Sequence, residues 1–95
     1  MEKSSHTKEY AALRSELKQA RETAGISQRE LAERLNVPHS WVAKVENGER
    51  RVDLIEFGWF LSACGADSAA AAGRVLKQAS LSKSGKSITK AGRSK

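Results

Sequence analysis

Residues 27–53 read SQRELAERLNVPHSWVAKVENGERRVD, an order that two short helices joined by a tight turn explain. Ser27 and Glu30 stand at the spacing of an S-x-x-E capping box, in which each side chain bonds the other residue's backbone N–H. Ile26 and Leu31 occupy the two positions of a hydrophobic staple. A helix is therefore predicted from about Gln28 to Leu35, with Leu31, Ala32 and Leu35 facing inward. Pro38 disfavours a helical conformation at Val37, so Asn36-Val37-Pro38 is a turn. The next helix starts near Pro38, where the missing N–H costs nothing, and stops at Asn47-Gly48. Two short helices about a three-residue turn form a helix-turn-helix.

The flanking stretches extend the pattern. Upstream, Tyr10, Leu13, Leu17, Ala20 and Ala24 recur every three or four residues, with Arg14, Glu16, Lys18 and Glu22 on the other side. Gly25 ends that first helix, because glycine accepts the left-handed conformation of a helix C-terminus. Downstream, Asp53 with Glu56 opens a fourth helix, whose inward stripe is Leu54, Phe57, Phe60, Leu61 and Cys64 and whose end is Gly65. Asp67 or Ser68 caps an alanine-rich fifth helix reaching about Ala79 and interrupted by Gly73. No stretch alternates apolar and polar residues for long enough to make a strand, so the fold class is all-α with five helices. The expected layout is a flexible start over 1–8, one domain over 9–79 and a disordered tail over 80–95, where Ser, Lys and Gly bury too little apolar surface to offset ordering entropy.

Charge is unevenly placed along the 95 residues. The net +6 hides a balanced body: residues 1–76 hold eleven Lys/Arg and eleven Asp/Glu. Lys77, Lys83, Lys86, Lys90, Arg93 and Lys95 follow with no acid among them. The basic character belongs to the tail, so it does not by itself make the folded body a nucleic-acid binder. Cys64 is the one cysteine, which excludes an internal disulfide, and His6, His39 and Cys64 have no zinc spacing. The first ten residues lack an apolar signal-peptide core, and the apolar run near Leu54–Ala66 is broken by Glu56, Gly58 and Ser62. These features predict a cytoplasmic protein outside the membrane, to be nucleoid-associated if it binds DNA. There is no nucleophile–base pair, phosphate loop or metal cluster; Ser5-His6 lies in the N-terminal stretch and Cys64 reads as a small buried residue. Neither an enzyme nor a cofactor is expected.

The run 27–53, preceded by LRSELKQARETAGI and followed by LIEFGWFLSACG, resembles the repressor/Cro-like (xenobiotic-response-element, XRE) helix-turn-helix family over residues 10–66. The resemblance implies a lambda-repressor-like domain whose third helix lies in the major groove of duplex DNA. His39, Ser40, Ala43 and Lys44 match the family's base-facing positions, and helical periodicity separately puts 39, 40, 43, 44 and 47 on one side with Val42 and Val45 behind. Lys44 can donate to guanine O6 or N7, His39 and Ser40 can hydrogen-bond bases, and Ala43 can touch a thymine methyl. Gln28 matches a glutamine that bonds a phosphate and braces a base-reading side chain, and Arg29 stands beside it. Asn47, Arg50 and Arg51 fall where the family makes further backbone contacts. Arg21 and Glu46 match a structural ion pair between the first and third helices.

Two departures stand out. Glu49 sits where basic residues are frequent, and Trp41 replaces a smaller residue or tyrosine. Trp41 either packs under its helix or lies against the sugar-phosphate backbone. One reading helix spans few base pairs, so a homodimer is expected, with Ile55, Trp59, Val75 and Leu76 as its face. An antitoxin that binds a toxin protein as well as its operator is the alternative. Against it, the basic tail offers few apolar anchors beyond Leu81 and Ile88 and suits phosphates better.

Overall fold

The computed structural model describes residues 7–82, with side-chain surroundings as far as residue 79. Within them the chain forms α1 (Lys8–Ala24), α2 (Gln28–Leu35), α3 (His39–Glu46), α4 (Leu54–Ala63) and α5 (Ser68–Ser82), and no strand. The expected disorder of the tail lies, for residues 83–95, outside the described residues, as do residues 1–6 of the expected flexible start.

Local chemistry sets each boundary. Thr7 caps α1 by accepting from the Tyr10 N–H, and Gly25 closes it in the left-handed region at φ 74°. Ser27 caps α2 by accepting from the Glu30 N–H at 3.0 Å. The return half of that capping box does not form: the Glu30 carboxylate turns instead to Arg34, one turn on, at 3.2 Å. An i, i+4 charge pair on the helix surface outcompetes the neutral N–H. Asn36 then takes the left-handed conformation at φ 58°, ψ 47°, which ends α2 and swings the chain through Val37 and Pro38 into α3. A reciprocal box does form at α4, where Asp53 accepts from the Glu56 N–H and Glu56 accepts from the Asp53 N–H. Asp67 accepts from the Ala70 N–H at 3.0 Å and opens α5. That helix passes through Gly73 without a break and ends three residues beyond Ala79.

The core is where the apolar faces of all five helices meet. Leu17 of α1, Leu31 of α2, Val42 and Val45 of α3, and Phe60 and Leu61 of α4 are fully buried. Burial of side chains of this size contributes roughly 1.5–3 kcal/mol each. α1 crosses α3, α4 and α5, and α2 packs on α3 and α4. Arg74 of α5 reaches Glu16 of α1 at 2.8 Å and locks the last helix along the first. Cys64 is buried at the end of α4, and burial pushes its thiol pKa up.

Two residues face otherwise than the periodicity suggests. Leu54, expected on the inward stripe of α4, is 72% exposed. It is the first residue of its helix, where the Cβ leans back toward the N-terminus and past the end of the core. Val75, expected on the dimer face, is only 9% exposed and belongs to the core. It stands one turn after buried Ala71, on the side of α5 that α1 covers, so it leaves the list of surface candidates.

Candidate nucleic-acid interface

α3 is held by its inner face and open on its outer one. Val42 and Val45 anchor it in the core, while His39, Ser40, Lys44 and Asn47 are exposed and Ala43 is half-buried. Among the described residues, no hydrogen bond or ion pair engages the side chains of His39, Ser40 or Lys44. The outer face is thus a row of polar groups with free valences on a helix whose orientation is fixed.

What fixes the orientation is Glu46. Its side chain is 2% exposed and pairs with Arg21, 13% exposed, at 2.7 Å. The guanidinium donates from Nε to Glu46 Oε2, from Nη2 to Oε1 at 3.1 Å, and from Nη1 to the Ile26 carbonyl at 2.9 Å. Arg21 therefore ties α1, the loop before α2 and α3 at one point. The hydrogen bond to Glu46 raises the Arg21 pKa and keeps its charge in place. Arg21 and Glu46, the two residues that the family resemblance implies as a pair, lie 2.7 Å apart.

Gln28 joins them. Its Nε2 donates to Glu46 Oε1 at 2.9 Å, so the amide expected at a phosphate is turned toward the ion pair. A buried carboxylate is a strong acceptor, and it orients the amide while leaving the second Nε2 N–H and the oxygen uncommitted among the described residues. Arg29 next to it is exposed.

The segment after α3 is equally ordered. Gly48 is buried with φ +81°, a left-handed turn that favours glycine, and a Cβ there would lie 3.1 Å from the Arg14 guanidinium and push it aside by a few tenths of an ångström. Arg50, expected to be a phosphate ligand, has partners of its own. It donates from Nη1 to the Arg51 carbonyl at 2.7 Å and from Nη1 and Nη2 to the two Glu56 oxygens at 3.2 Å each. Its Cζ lies 5.0 Å from the Trp41 ring centroid. Trp41 is half-buried, with its ring 6.5 Å from Phe60, so it packs beneath α3 and carries Arg50 on its surface. The Arg50 guanidinium holds the Glu56 carboxyl below the ordinary carboxylate range, and the Asp53 N–H adds to that. Arg51 is exposed and lies over Tyr10 at 5.5 Å, while the Tyr10 hydroxyl accepts from the Val52 N–H at 2.9 Å. The reach of Arg50 to Glu56, and of Arg34 Nη1 to the Ala63 carbonyl at 2.8 Å, carries no signal in residue spacing. Long side chains find such partners only after the helices have docked.

α4 presents Ile55 and Trp59 to solvent at 60% and 61% exposure, and Leu76 of α5 at 64%. Among the described residues no three His, Cys, Asp or Glu side chains gather into a metal-binding group, and no helix is long and apolar enough to cross a membrane.

Comparison with known proteins places this arrangement. A family described as a helix-turn-helix domain matches residues 12–74. Among solved structures, a chain described as an XRE-family like protein from Pseudomonas syringae pv. tomato is similar at 46% sequence identity and a TM-score of 0.70, over 74% of this chain and 85% of that one. No curated protein matches the chain.

Proposed function

The chain belongs to the XRE-type helix-turn-helix family, and from that premise we propose that it is a transcriptional regulator that binds duplex DNA sequence-specifically, as a homodimer and as a repressor. α3 is the reading helix. His39, Ser40, Ala43 and Lys44 meet base edges, and Gln28, Arg29, Asn47, Arg50 and Arg51 hold the sugar-phosphate backbone.

One observation carries this reading: a helix with one face locked into the core presents polar side chains that nothing among the described residues engages. An idle polar face on a mobile helix is only a solvated surface. On α3 the buried Arg21–Glu46 pair removes the motion, and base readout needs donors held in one geometry. The N–H groups at the start of α2 suit a phosphate, and the second Nε2 N–H of Gln28, beyond the one given to Glu46, is a further donor. Trp41 serves as a support for Arg50 in this scheme rather than as a backbone ligand itself.

The homodimer rests on a different surface. Leu54, Ile55, Trp59 and Leu76 are large, apolar and exposed, on the two helices that follow the helix-turn-helix. To fill paired half-sites, a second copy covering them has to set the two reading helices about 34–36 Å apart, one turn of duplex. A dimer seated across such a site excludes other proteins from it, which is the simplest form of repression. Toxin neutralisation is the alternative reading, and nothing among the described residues favours it over DNA binding.

Lys44→Ala tests the base-reading role. Binding to the preferred duplex, followed by fluorescence anisotropy, is expected to weaken by about 10- to 100-fold, in line with about 1–3 kcal/mol for a specific base contact. Binding to unrelated duplex changes far less. Equal losses on both duplexes would reduce Lys44 to a phosphate contact.

A further inference from the structure

The guanidinium of Arg50 is gripped so that one edge is left over. Nη1 has both of its N–H groups engaged, one by the Arg51 carbonyl at 2.7 Å and one by Glu56 Oε1 at 3.2 Å. Nη2 has one engaged, by Glu56 Oε2 at 3.2 Å. Among the described residues nothing engages the Nε–H and the second Nη2–H, and in a planar guanidinium they point the same way. That pair of donors matches two oxygens of a phosphate side by side.

Two features stop the group from turning away. The Trp41 ring lies 5.0 Å beneath the guanidinium carbon and blocks rotation on that side. Glu56 is itself fixed, because its Oε1 also accepts the Asp53 N–H at 3.0 Å as part of the capping box of α4. The free edge of Arg50 therefore has a direction before any ligand arrives, on the segment that directly follows the reading helix.

We propose that Glu56 is a positioning residue: it turns Arg50 so that its Nε/Nη2 edge receives a backbone phosphate of the bound duplex. This rests on the DNA-binding reading given above. A long arginine left in solvent loses rotamer freedom on meeting a phosphate, whereas Arg50 has already given up most of it in folding. Glu56 also repels a phosphate. That repulsion acts across the width of the guanidinium and through water, since the Arg50 side chain is 39% exposed, so orientation outweighs it.

Glu56→Gln separates this role from helix capping. Glutamine serves the third position of a capping box as well as glutamate does, because its amide oxygen still accepts the Asp53 N–H. It cannot offer two acceptors to the guanidinium. The full chain and its E56Q, R50Q and double variants are titrated with the preferred duplex at several salt concentrations, with thermal melting as a check on folding. R50Q is expected to bind about 10-fold more weakly, with a salt slope shallower by about 0.9, the loss of one phosphate contact. E56Q is expected to bind roughly 3- to 10-fold more weakly when Arg50 is present and to have no further effect when it is absent. Tighter or unchanged binding by E56Q overturns the proposal, and so does an equal loss in both backgrounds. If the wild-type chain binds duplex and only these expectations fail, the positioning role falls alone. If it binds no duplex, the DNA-binding reading falls with it.

Discussion

Glu46 accepts from Arg21 Nε, Arg21 Nη2 and Gln28 Nε2 while only 2% of its side chain is exposed. Removing it strands the Arg21 guanidinium, which is nearly as well buried, and breaking such a pair costs about 3–5 kcal/mol. Glu46→Ala is therefore expected to lower the urea midpoint steeply with little change in m-value, and to abolish duplex binding before it unfolds the protein, because α3 loses its anchor. A loss of stability under about 1 kcal/mol would mean that water solvates the pair after all. The pair itself was legible in the sequence through the family resemblance of Arg21 and Glu46. The third member was not. Gln28 is read from the sequence as a phosphate ligand, and its bond to Glu46 leaves no mark there, because residue identity says where a side chain starts and not where its end goes. The same holds for Arg50, whose attachment to Glu56 and Trp41 depends on how α3 and α4 are docked.

At the scale of elements the sequence is more explicit. Gly25, Asp53 and the Asn36–Pro38 turn are local stop and start signals, and each falls where the helices begin or end. Apolar spacing also finds most of the core. It fails for Leu54, since periodicity defines a stripe on a helix without saying how far the neighbouring helices cover it, and Val75, expected on the dimer face, is core for the same want of information about its neighbours. Gly73 shows the opposite case, a helix breaker by propensity that tertiary packing overrides. A Cβ added there meets nothing within 4 Å, and α5 already runs through the position. Gly73→Ala is expected to stabilise the chain by about 0.5–1 kcal/mol through helix propensity alone. In a domain of this size that raises the melting temperature by a few degrees, with about 4–8 °C per kcal/mol. A lower melting temperature would show that position 73 needs its glycine for a contact outside the monomer.

For the whole molecule, the proposed reading needs two surfaces to work together: the polar face of α3 and the apolar residues of α4 and α5. Trp59 is 61% exposed, and replacing it with glutamate leaves the core intact while placing charge on the proposed dimer face. Trp59→Glu is expected to sediment as a monomer with unchanged helical circular dichroism and to lose affinity for a paired site far more than for a single half-site. A variant that stays dimeric would move the interface elsewhere. The overall charge of +6 says little about this, because it is concentrated after residue 76 in the sequence. On the proposed reading the folded body recognises DNA by arrangement rather than by charge, so sequence preference is expected to outlast rising salt while non-specific binding fades. Selection of bound sites from a random duplex pool, at low and at near-physiological salt, measures this directly. The account predicts that one short inverted repeat is enriched at both concentrations, with half-site centres about one turn apart, and that Lys44→Ala relaxes its sequence. Enrichment of no sequence at either salt concentration, with binding untouched by changes at 39–44, would contradict it.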